Sequence, residues 1–150
     1  GGTQGSDNGT LTAQTGDNVS VLYVGMLDNG SVFQSSADFG NKPLQFVIGA
    51  HTVLPDFENA VINLSVNRSK TIHIPFEDAY GPTEITFNLT SDDTPPIVGQ
   101  QYTVRLENGK YITATAANVT ATSVTFQNTH ALAGQNLTFN ITLVGIAKEK

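Results

Sequence analysis

The side chains that ordinarily transfer protons or hold metals are few and scattered in this sequence. The three histidines are His51, His73 and His130, and none has a carboxylate at the spacing of a metal-ligand pair. Glu77 and Asp78 form an acidic pair in a predicted turn, where such a pair is more often solvated than catalytic. There is no cysteine, no serine nucleophile elbow and no glycine-rich phosphate loop. The sequence therefore predicts no metal site and no cofactor.

The composition limits the classes of partner. Seven basic and 13 acidic residues give a formal net charge of −6, which argues against a nucleic-acid binder because such proteins need a basic face. Charged residues make up 13% of the chain, against about 25% in an average soluble domain. Solubility must therefore come from Asn, Thr, Ser and Gln. No apolar run approaches the roughly 20 residues of a membrane span.

The sequence is rich in N-x-S/T sequons, which are acceptors for N-linked glycans. Their number indicates exposure to a glycosylation machinery outside the cytoplasm, although a bias toward Asn and Thr would also produce several. The sequons begin at Asn8, Asn18, Asn29, Asn63, Asn67, Asn88, Asn118, Asn136 and Asn140.

The hydrophobic pattern predicts many short strands and one helix, an α+β fold. Apolar residues recur at helical spacing only over residues 52–64, and Pro55 falls where a first helical turn tolerates proline. The pairs Asn29-Gly30 and Asn108-Gly109 predict hairpins. Residues 137–146 alternate apolar and polar side chains, which is typical of a half-buried strand. Residues 1–16, in contrast, are rich in Gly, Ser and Thr and predict either a flexible tether or a frayed terminus.

Four segments carry a family resemblance. VLYVGMLDNGSVFQSS at residues 21–36 is followed in order by PLQFVIG at 43–49, PFEDAYG at 75–81 and LTFNITL at 137–143. In their order and spacing they resemble the motifs of FKBP-type peptidyl-prolyl cis/trans isomerases. The resemblance implies an antiparallel half-barrel sheet wrapped on one helix. It also implies an isomerase that needs no cofactor.

The stretch before the last motif resembles a subfamily. Residues 84–129 replace a short flap loop, and the sequence then continues HALAGQNLTF at residues 130–139, which is similar to SlyD-type members. In those proteins a small inserted β domain, the insert-in-flap domain, has chaperone activity. The resemblance therefore implies an FKBP domain made of residues 17–83 and 130–147, interrupted by an insert-in-flap domain at 84–129.

The resemblance also implies a proline pocket, with Phe57 as its floor. The Tyr80 hydroxyl and the Leu54 backbone N–H are expected to hold substrate carbonyls, and Gln34 stands where the family usually has Asp. The complete predicted set is Tyr23, Phe33, Gln34, Phe46, Val53, Leu54, Phe57, Tyr80, Ala131, Leu132 and Phe139.

The predicted function is prolyl isomerisation combined with chaperone action on unfolded or partly folded, proline-containing chains. Rapamycin-type macrolides are expected ligands. The alternative is an extracytoplasmic binding or holdase module that keeps the fold with little catalysis. Apolar residues of the insert are expected to bind clients, namely Tyr102, Tyr111, Ile112, Val119, Val124 and Phe126.

The sequons and the N-terminal segment together predict a location. The protein is expected to be a monomer at the outer face of a prokaryotic, archaeal membrane, either secreted or tethered there. Any membrane contact is expected only through an anchor removed on maturation. No contact with nucleic acid is expected.

Overall fold

The computed structural model of the chain describes residues 11–148, which form nine β-strands and one α-helix. The predicted α+β class is confirmed. The elements are β1 (Asn18–Leu27), β2 (Val32–Ser35), β3 (Leu44–Val47), α1 (Pro55–Val61), β4 (Ser69–Ile74), β5 (Glu84–Asn88), β6 (Gln101–Arg105), β7 (Tyr111–Val119), β8 (Ser123–Asn128) and β9 (Leu137–Ala147). Short 3-10 helices cover Ser36–Phe39 and Phe76–Asp78.

The chain divides into two compact units. The first consists of Gly1–Ile74 and Asn136–Lys150, and the second is the intervening segment Pro75–Gln135. The second unit contains the whole of the predicted insert, residues 84–129, together with the flanking segments on either side. Ile74 pairs with Leu137 between β4 and β9, so the first unit closes across the point where the second is inserted.

The first unit is built around β1 and β9, which pair along their whole length in an antiparallel sheet of order β2-β1-β9-β4. The other edge of β1 pairs first with β3 and then with β2. Helix α1 contacts β4 and β9. The alternation predicted for the last strand is confirmed, because every second side chain of β9 from Leu137 to Leu143 is buried.

Helix α1 is shorter than the predicted 52–64. It begins at Pro55, whose missing N–H costs nothing in a first turn, after Leu54 in an extended conformation. It ends at Val61, because Ile62 is extended and Asn63 has a φ of 72°. Asn is among the residues that best tolerate such a left-handed conformation. Seven residues suffice to carry Phe57 and Val61 to the core.

The described part of the predicted tether, residues 11–16, is packed into the first unit, and the prediction is wrong there. Ala13 is fully buried, its N–H donates to Leu64 O at 2.8 Å, and its carbonyl accepts from the Asn63 N–H at 2.8 Å. The Gly16 N–H donates to Ile48 O at 2.8 Å. A small apolar side chain and these long-range backbone bonds override the Gly/Thr composition. Residues 1–10 of the predicted tether lie outside the described residues, as does Asn8.

The second unit is a four-stranded antiparallel sheet of order β5-β8-β7-β6. The predicted Asn108-Gly109 hairpin joins β6 to β7, and Gly109 has the positive φ of 87° that the turn requires. One face of the sheet is apolar, with a small core of Val104, Ala114, Ala116, Val124 and Phe126. Within residues 11–148, no helix has the length and apolar character needed to cross a membrane.

Candidate functional site

Five aromatic rings of the first unit form one cluster, with Phe57 and Phe139 at its centre. These two rings meet edge to face with centroids 5.1 Å apart. Tyr23 and Phe46 each contact Phe57, at 5.8 and 5.9 Å, and Phe33 contacts Phe139 at 5.6 Å. Such edge-to-face contacts add about 0.5–1.5 kcal/mol per pair to the burial of the rings. The cluster therefore brings together the five aromatic residues that the sequence predicted in this unit.

The cluster depends on Gly25, which sequence reasoning did not select as a site residue. A Cβ at Gly25 would lie 2.6 Å from Phe33 Cζ and 2.8 Å from Phe139 Cε1. Gly25 also lies opposite Phe139 in the pairing of β1 with β9. Only a residue without a side chain lets both rings approach β1. The signal was in the sequence, because Gly25 follows Tyr23 at the spacing of side chains on one strand face.

The Tyr23 backbone is fixed where β1 changes partner. Pairing with β3 ends at Val21 and pairing with β2 begins at Val24. Between them, the buried Ser36 hydroxyl accepts from the Tyr23 N–H at 3.1 Å and donates to the Tyr23 carbonyl at 3.2 Å. These two bonds satisfy buried backbone groups that would otherwise be costly. They hold Tyr23 in the cluster, and Ser36 is a second positioning residue that the sequence did not single out.

A buried carboxylate orders the loop that precedes α1. Glu58 is 4% exposed, and its Oε2 accepts from the His51 backbone N–H at 3.1 Å. The His51 Nδ1 lies 3.6 Å from Glu58 Oε1. This contact ties the loop to the helix and fixes the chain that carries Val53 and Leu54, both of which are half-buried.

The Leu54 backbone N–H is available to a ligand. Leu54 immediately precedes the first residue of α1 and its carbonyl accepts from the Glu58 N–H at 2.9 Å. Among residues 11–148 no acceptor lies in hydrogen-bonding position for the Leu54 N–H. The predicted role of this N–H as a donor to a substrate carbonyl is therefore compatible with the geometry.

Gln34 lies at the rim of an open, mostly apolar cavity of about 300 Å³ in the first unit. Tyr23 lines the same cavity, and so do Phe39, Lys42, Pro43 and Leu44, which the sequence did not select. Phe39 is 59% exposed despite its large ring. The sequence spacing did not predict that Phe39 lines this cavity, because its position depends on the 3-10 helix that follows β2.

The remaining predicted pocket residues lie in the second unit. The Tyr80 ring stacks on the His130 ring, with centroids 3.9 Å apart and planes 7° from parallel. Leu132 is half-buried and donates its backbone N–H to His130 Nδ1 at 3.0 Å, whereas Ala131 is exposed. Tyr80 and Leu132, which are distant in sequence, are thus brought together through one imidazole.

The predicted client-binding residues do not form one surface. Val124 and Phe126 are 2% and 6% exposed, and with Ala114 and Ala116 they form the core of the second unit. They therefore cannot bind a client in this conformation, and the prediction is wrong for these two. Tyr102, Ile112 and Val119 are half-buried against that core, while Tyr111 is 66% exposed. Two further apolar side chains, Ile97 and Val98, are about 60% exposed, and sequence reasoning missed them.

The chemistry available at the aromatic cluster is apolar solvation with backbone hydrogen bonding. Within the described residues, no three His, Asp or Glu side chains converge as metal ligands would. A cluster of rings provides a dry surface for an apolar ring, and the free Leu54 N–H in the same unit is a donor for a carbonyl. Such a site suits a reaction in which conformation changes and no bond is broken.

Comparison with known proteins agrees with this geometry. The sequence model of the FKBP-type peptidyl-prolyl cis-trans isomerase family matches residues 9–144. The chain is 39% identical over 74 residues to FK506-binding protein 3 of Dictyostelium discoideum, covering 49% of this chain and 38% of that protein. It is 44% identical over 72 residues to FK506-binding protein 2 of Candida glabrata, covering 47% and 52%. It is also 37% identical over 86 residues to trigger factor of Paraburkholderia xenovorans, covering 56% and 18%. The chain thus spans about half or less of the length of these relatives.

Proposed function

The chain belongs to the FKBP-type peptidyl-prolyl cis-trans isomerase family, and on that premise we propose that it catalyses rotation about X–Pro bonds in polypeptides. The observation that carries the proposal is the edge-to-face cluster of Tyr23, Phe33, Phe57 and Phe139 packed against Gly25. Such a cluster offers the proline ring an apolar surface, and the Leu54 N–H is a free donor in the same unit.

The physical basis is the polarity of the amide bond. Rotation about a peptide bond has a barrier of about 18–20 kcal/mol because it destroys amide resonance. The planar amide is charge-separated and well solvated by water, whereas the twisted transition state is less polar. A site that excludes water therefore stabilises the twisted state relative to the planar one. A donor in the same unit as the cluster, the Leu54 N–H, would hold a flanking carbonyl while the bond rotates.

A peptide assay tests the catalytic proposal directly. Cis-to-trans conversion of a short X–Pro peptide, followed by a protease that cleaves only the trans form, should be faster with the protein than without it. Uncatalysed conversion takes about 10–100 s at 25 °C, so the signal is easily resolved. An unchanged rate at micromolar protein would contradict the proposal and favour a binding module of the same fold.

We further propose that the second unit is a client-binding domain of the SlyD insert-in-flap type. The observation that supports this proposal is that the apolar face of the β5–β8 sheet is only partly buried. Half-buried hydrophobic side chains lie around that core, and Ile97 and Val98 are more exposed still. Exposed apolar groups and sheet edges are the features that bind extended, unfolded chains. The covalent link through two chain segments would hold a captured client near the pocket at an effective concentration in the mM range.

Deletion of the insert separates the two activities. Glu84 pairs with Gln127, so a short loop can replace residues 84–129 between neighbouring strand ends. The shortened protein should keep its activity on tetrapeptides. Its catalysis of proline-limited refolding of a whole protein should fall about tenfold or more, and its suppression of aggregation should be lost. Equal refolding rates for the intact and shortened proteins would refute the chaperone role and leave the isomerase proposal standing.

The second candidate function is an extracytoplasmic holdase with little catalysis. The observation that favours it is Gln34, an exposed, uncharged residue where the family usually has a carboxylate. The variant Gln34→Asp decides between the two. If the wild type is already active and the variant is equally or more active, the pocket is catalytic, whereas a wild type near zero whose variant gains substantial activity favours the holdase.

We also propose that the protein works outside the cytoplasm and binds FK506- or rapamycin-type macrolides. Seven of the eight sequon asparagines among the described residues are exposed, and only Asn140 is half-buried. Mass spectrometry of the protein from its native cells would detect glycans on these positions, and unmodified peptides throughout would contradict that location. A thermal shift with a macrolide tests the ligand, and no shift at high concentration would count against a formed pocket.

A further inference from the structure

A mostly apolar cavity of about 300 Å³ is formed entirely by residues of the second unit. Its walls come from the 3-10 helix Phe76–Asp78, the beginning of β5 and the turn that follows β6. Its apolar lining residues are Phe76, Pro82, Ile85 and Leu106. Ile85 is also one of the half-buried side chains packed against the core of this unit. The cavity therefore shares a wall with the apolar face to which we assign client binding.

Two glutamates line the same cavity. Glu77 comes from the 3-10 helix, Glu107 comes from the turn after β6, and both are exposed. Within residues 11–148, neither carboxylate takes part in a hydrogen bond or an ion pair. Apolar walls lower the local dielectric constant and strengthen the field of charges that border them. Both carboxylates are thus available to a cation that arrives together with an apolar group.

Hydrogen bonds between two loops hold the acidic walls in place. The Asn108 Nδ2 donates to the Glu77 backbone carbonyl at 2.8 Å, and the Asn108 Oδ1 accepts from the Lys110 N–H at 3.0 Å. The Lys110 Nζ donates to the Asp78 backbone carbonyl at 2.8 Å. The β6–β7 turn is therefore bonded to the 3-10 helix at two points. A site held in this way loses less conformational entropy when a ligand binds.

The charge of the second unit favours a cationic partner. Pro75–Gln135 contains six acidic and two basic side chains, so this unit has a net charge of −4. In the described part of the chain, its basic residues Arg105 and Lys110 form no ion pair with either glutamate of the cavity. The resulting field attracts positively charged segments and repels a second copy of this chain, which carries the same charge.

We propose that this acidic cavity recognises client segments in which Lys or Arg flanks a large apolar side chain. The inference rests on the proposed client-binding role of the second unit and specifies the chemistry of its client. The apolar side chain packs against Ile85 and Leu106, and the cation pairs with Glu77 or Glu107. Residues two positions apart lie on the same side of an extended chain. The favoured pattern therefore has a cation two positions before or after the apolar residue.

Peptides without proline test this recognition separately from isomerisation. The probe is a polar peptide of about ten residues with one central Phe and a Lys two positions to either side. Matched peptides carry Gln or Glu in place of both lysines, and a fourth carries Ala in place of Phe. One exposed ion pair corresponds to at most about fivefold in affinity. Calorimetry at low ionic strength should therefore show the Lys peptide binding about tenfold more tightly than the Gln peptide.

The other two peptides and added salt separate the apolar from the electrostatic contribution. The Glu peptide should bind more weakly than the Gln peptide because like charges repel. Replacing Phe by Ala should weaken binding about tenfold or more, since most of the buried apolar area is lost. In about 1 M salt the Debye length falls to about 3 Å, so the preference for Lys over Gln should shrink below about twofold.

Variants without the two charges locate the effect. The double variant Glu77→Gln and Glu107→Gln keeps the side-chain volumes, so it should bind the Lys and Gln peptides equally. The control is the double variant Glu84→Gln and Asp92→Asn, which removes the same charge from the same unit outside the cavity lining. Glu84 lies on the opposite face of β5 from Ile85. The control should keep a preference of about tenfold, and melting temperatures equal to that of the wild type confirm that both variants are folded.

NMR spectra identify the surface that binds. The amide signals of Ile85, Glu107 and Asn108 should shift together as the Lys peptide is added. Shifts confined to Gln101–Arg105 of the edge strand would overturn the inference. Equal affinities for the Lys, Gln and Glu peptides, or a preference that persists in the Glu77→Gln and Glu107→Gln variant, would overturn it as well. Self-association that this variant abolishes would identify a second copy as the occupant and would also overturn it.

Failure of this inference is distinguishable from failure of the proposed function. A protein that suppresses aggregation of unfolded chains but binds none of the four peptides overturns the acidic cavity alone. A protein that neither binds the peptides nor suppresses aggregation overturns the client-binding role of the second unit together with the inference. Because the probes contain no proline, none of these results bears on isomerisation.

Discussion

Two phenylalanines occupy nearly equivalent places in the two sheets of this protein. Phe139 in β9 lies between Gly25 on one neighbouring strand and Ile72 on the other. Phe126 in β8 lies between Ala116 and Ile85. Both rings are 6% exposed, and both contact other rings edge to face or at a tilt.

The difference between them is the second layer. Phe139 meets Phe57, which comes from helix α1. Phe126 meets Phe87 and Tyr102, which come from strands of its own sheet, and Pro75–Gln135 contains no α-helix. Rings that converge from two layers are packed on more than one side, and four of the five cluster rings are buried. Rings on one layer form a thin core with half-buried surroundings.

The matched pair Phe139→Ala and Phe126→Ala should show the largest contrast. Phe139→Ala opens the cluster to water, so its activity on X–Pro peptides should fall more than tenfold. Its free energy of unfolding should fall by about 3–5 kcal/mol, as is typical of a buried Phe→Ala change. Phe126→Ala should spare peptide activity in the folded first unit and weaken suppression of aggregation. Isomerase kinetics of both folded variants on X–Pro peptides measure this contrast, and equal losses of activity in the two variants would contradict it.

Glycine should be required at one strand position and dispensable at another. Gly25→Ala places a methyl group within 2.6 Å of the Phe33 ring, and such overpacking costs about 1–3 kcal/mol. We expect peptide activity to fall severalfold because the rings must separate. Gly145→Ala is the control, since the nearest atom to its Cβ, Ser20 Cβ, lies at 3.7 Å. Denaturant unfolding and peptide kinetics check the prediction, which fails if both variants behave alike.

Hydrogen exchange should sharpen the contrast in stability between the two sheets. The core of the second unit contains two alanines, two valines and one phenylalanine. Because these side chains bury little apolar area, the free energy needed to open this sheet locally is small. Backbone amides of β5–β8 should therefore exchange about tenfold or more faster than those of β1 and β9. Mass spectrometry of deuterium uptake at native pH measures the ratio. Equal protection in the two sheets would show that they open together.

The smallest effect concerns an ion pair confined to the first unit. Asp17 accepts from Lys148 Nζ at 2.6 Å and from the Gln14 N–H at 2.8 Å. The hydrogen bond from Lys148 is the main cause that holds the Asp17 pKa below its ordinary value of 3.8. A depressed folded-state pKa stabilises the protein above the unfolded-state value, and this stabilisation is lost as the pH falls below about 3.8.

The variant Asp17→Asn tests this pair. At pH 7 its melting temperature should lie below that of the wild type, and the difference should shrink as the pH falls below about 3.8. Asp93→Asn in the second unit is the control, because Asp93 accepts only from Thr90 in an exposed turn. A wild-type advantage over Asp17→Asn that persists unchanged in acid would rule out the ionised carboxylate as its source.

Much of the site was predictable because its determinants are local in sequence. The motif around Tyr23, Phe33 and Gly25 lies on one hairpin, and the alternation of β9 fixes the face that Phe139 occupies. The inserted segment was visible as a change to short strands with an Asn-Gly turn. The C-terminal end of the helix was less predictable. It ends at Val61 because Ile62 is extended and Asn63 has a left-handed backbone conformation, which many Asn residues do not adopt.

The sequence alone determined the family, the strand-rich architecture and the residue types around the proposed pocket, since these follow from short-range spacing. Tertiary structure alone decided which rings acquire a second layer. The segments Thr125-Phe126-Gln127 and Thr138-Phe139-Asn140 are almost identical in sequence, so the local sequence does not distinguish the two rings. It also decided that Ala13 is buried in a Gly/Thr-rich stretch, and that His130 stacks on Tyr80. Each of these depends on partners 50 or more residues away along the chain, as in the bonds of Ala13 with Asn63 and Leu64. Such contacts form only when the whole chain closes its loops, and no local pattern records them.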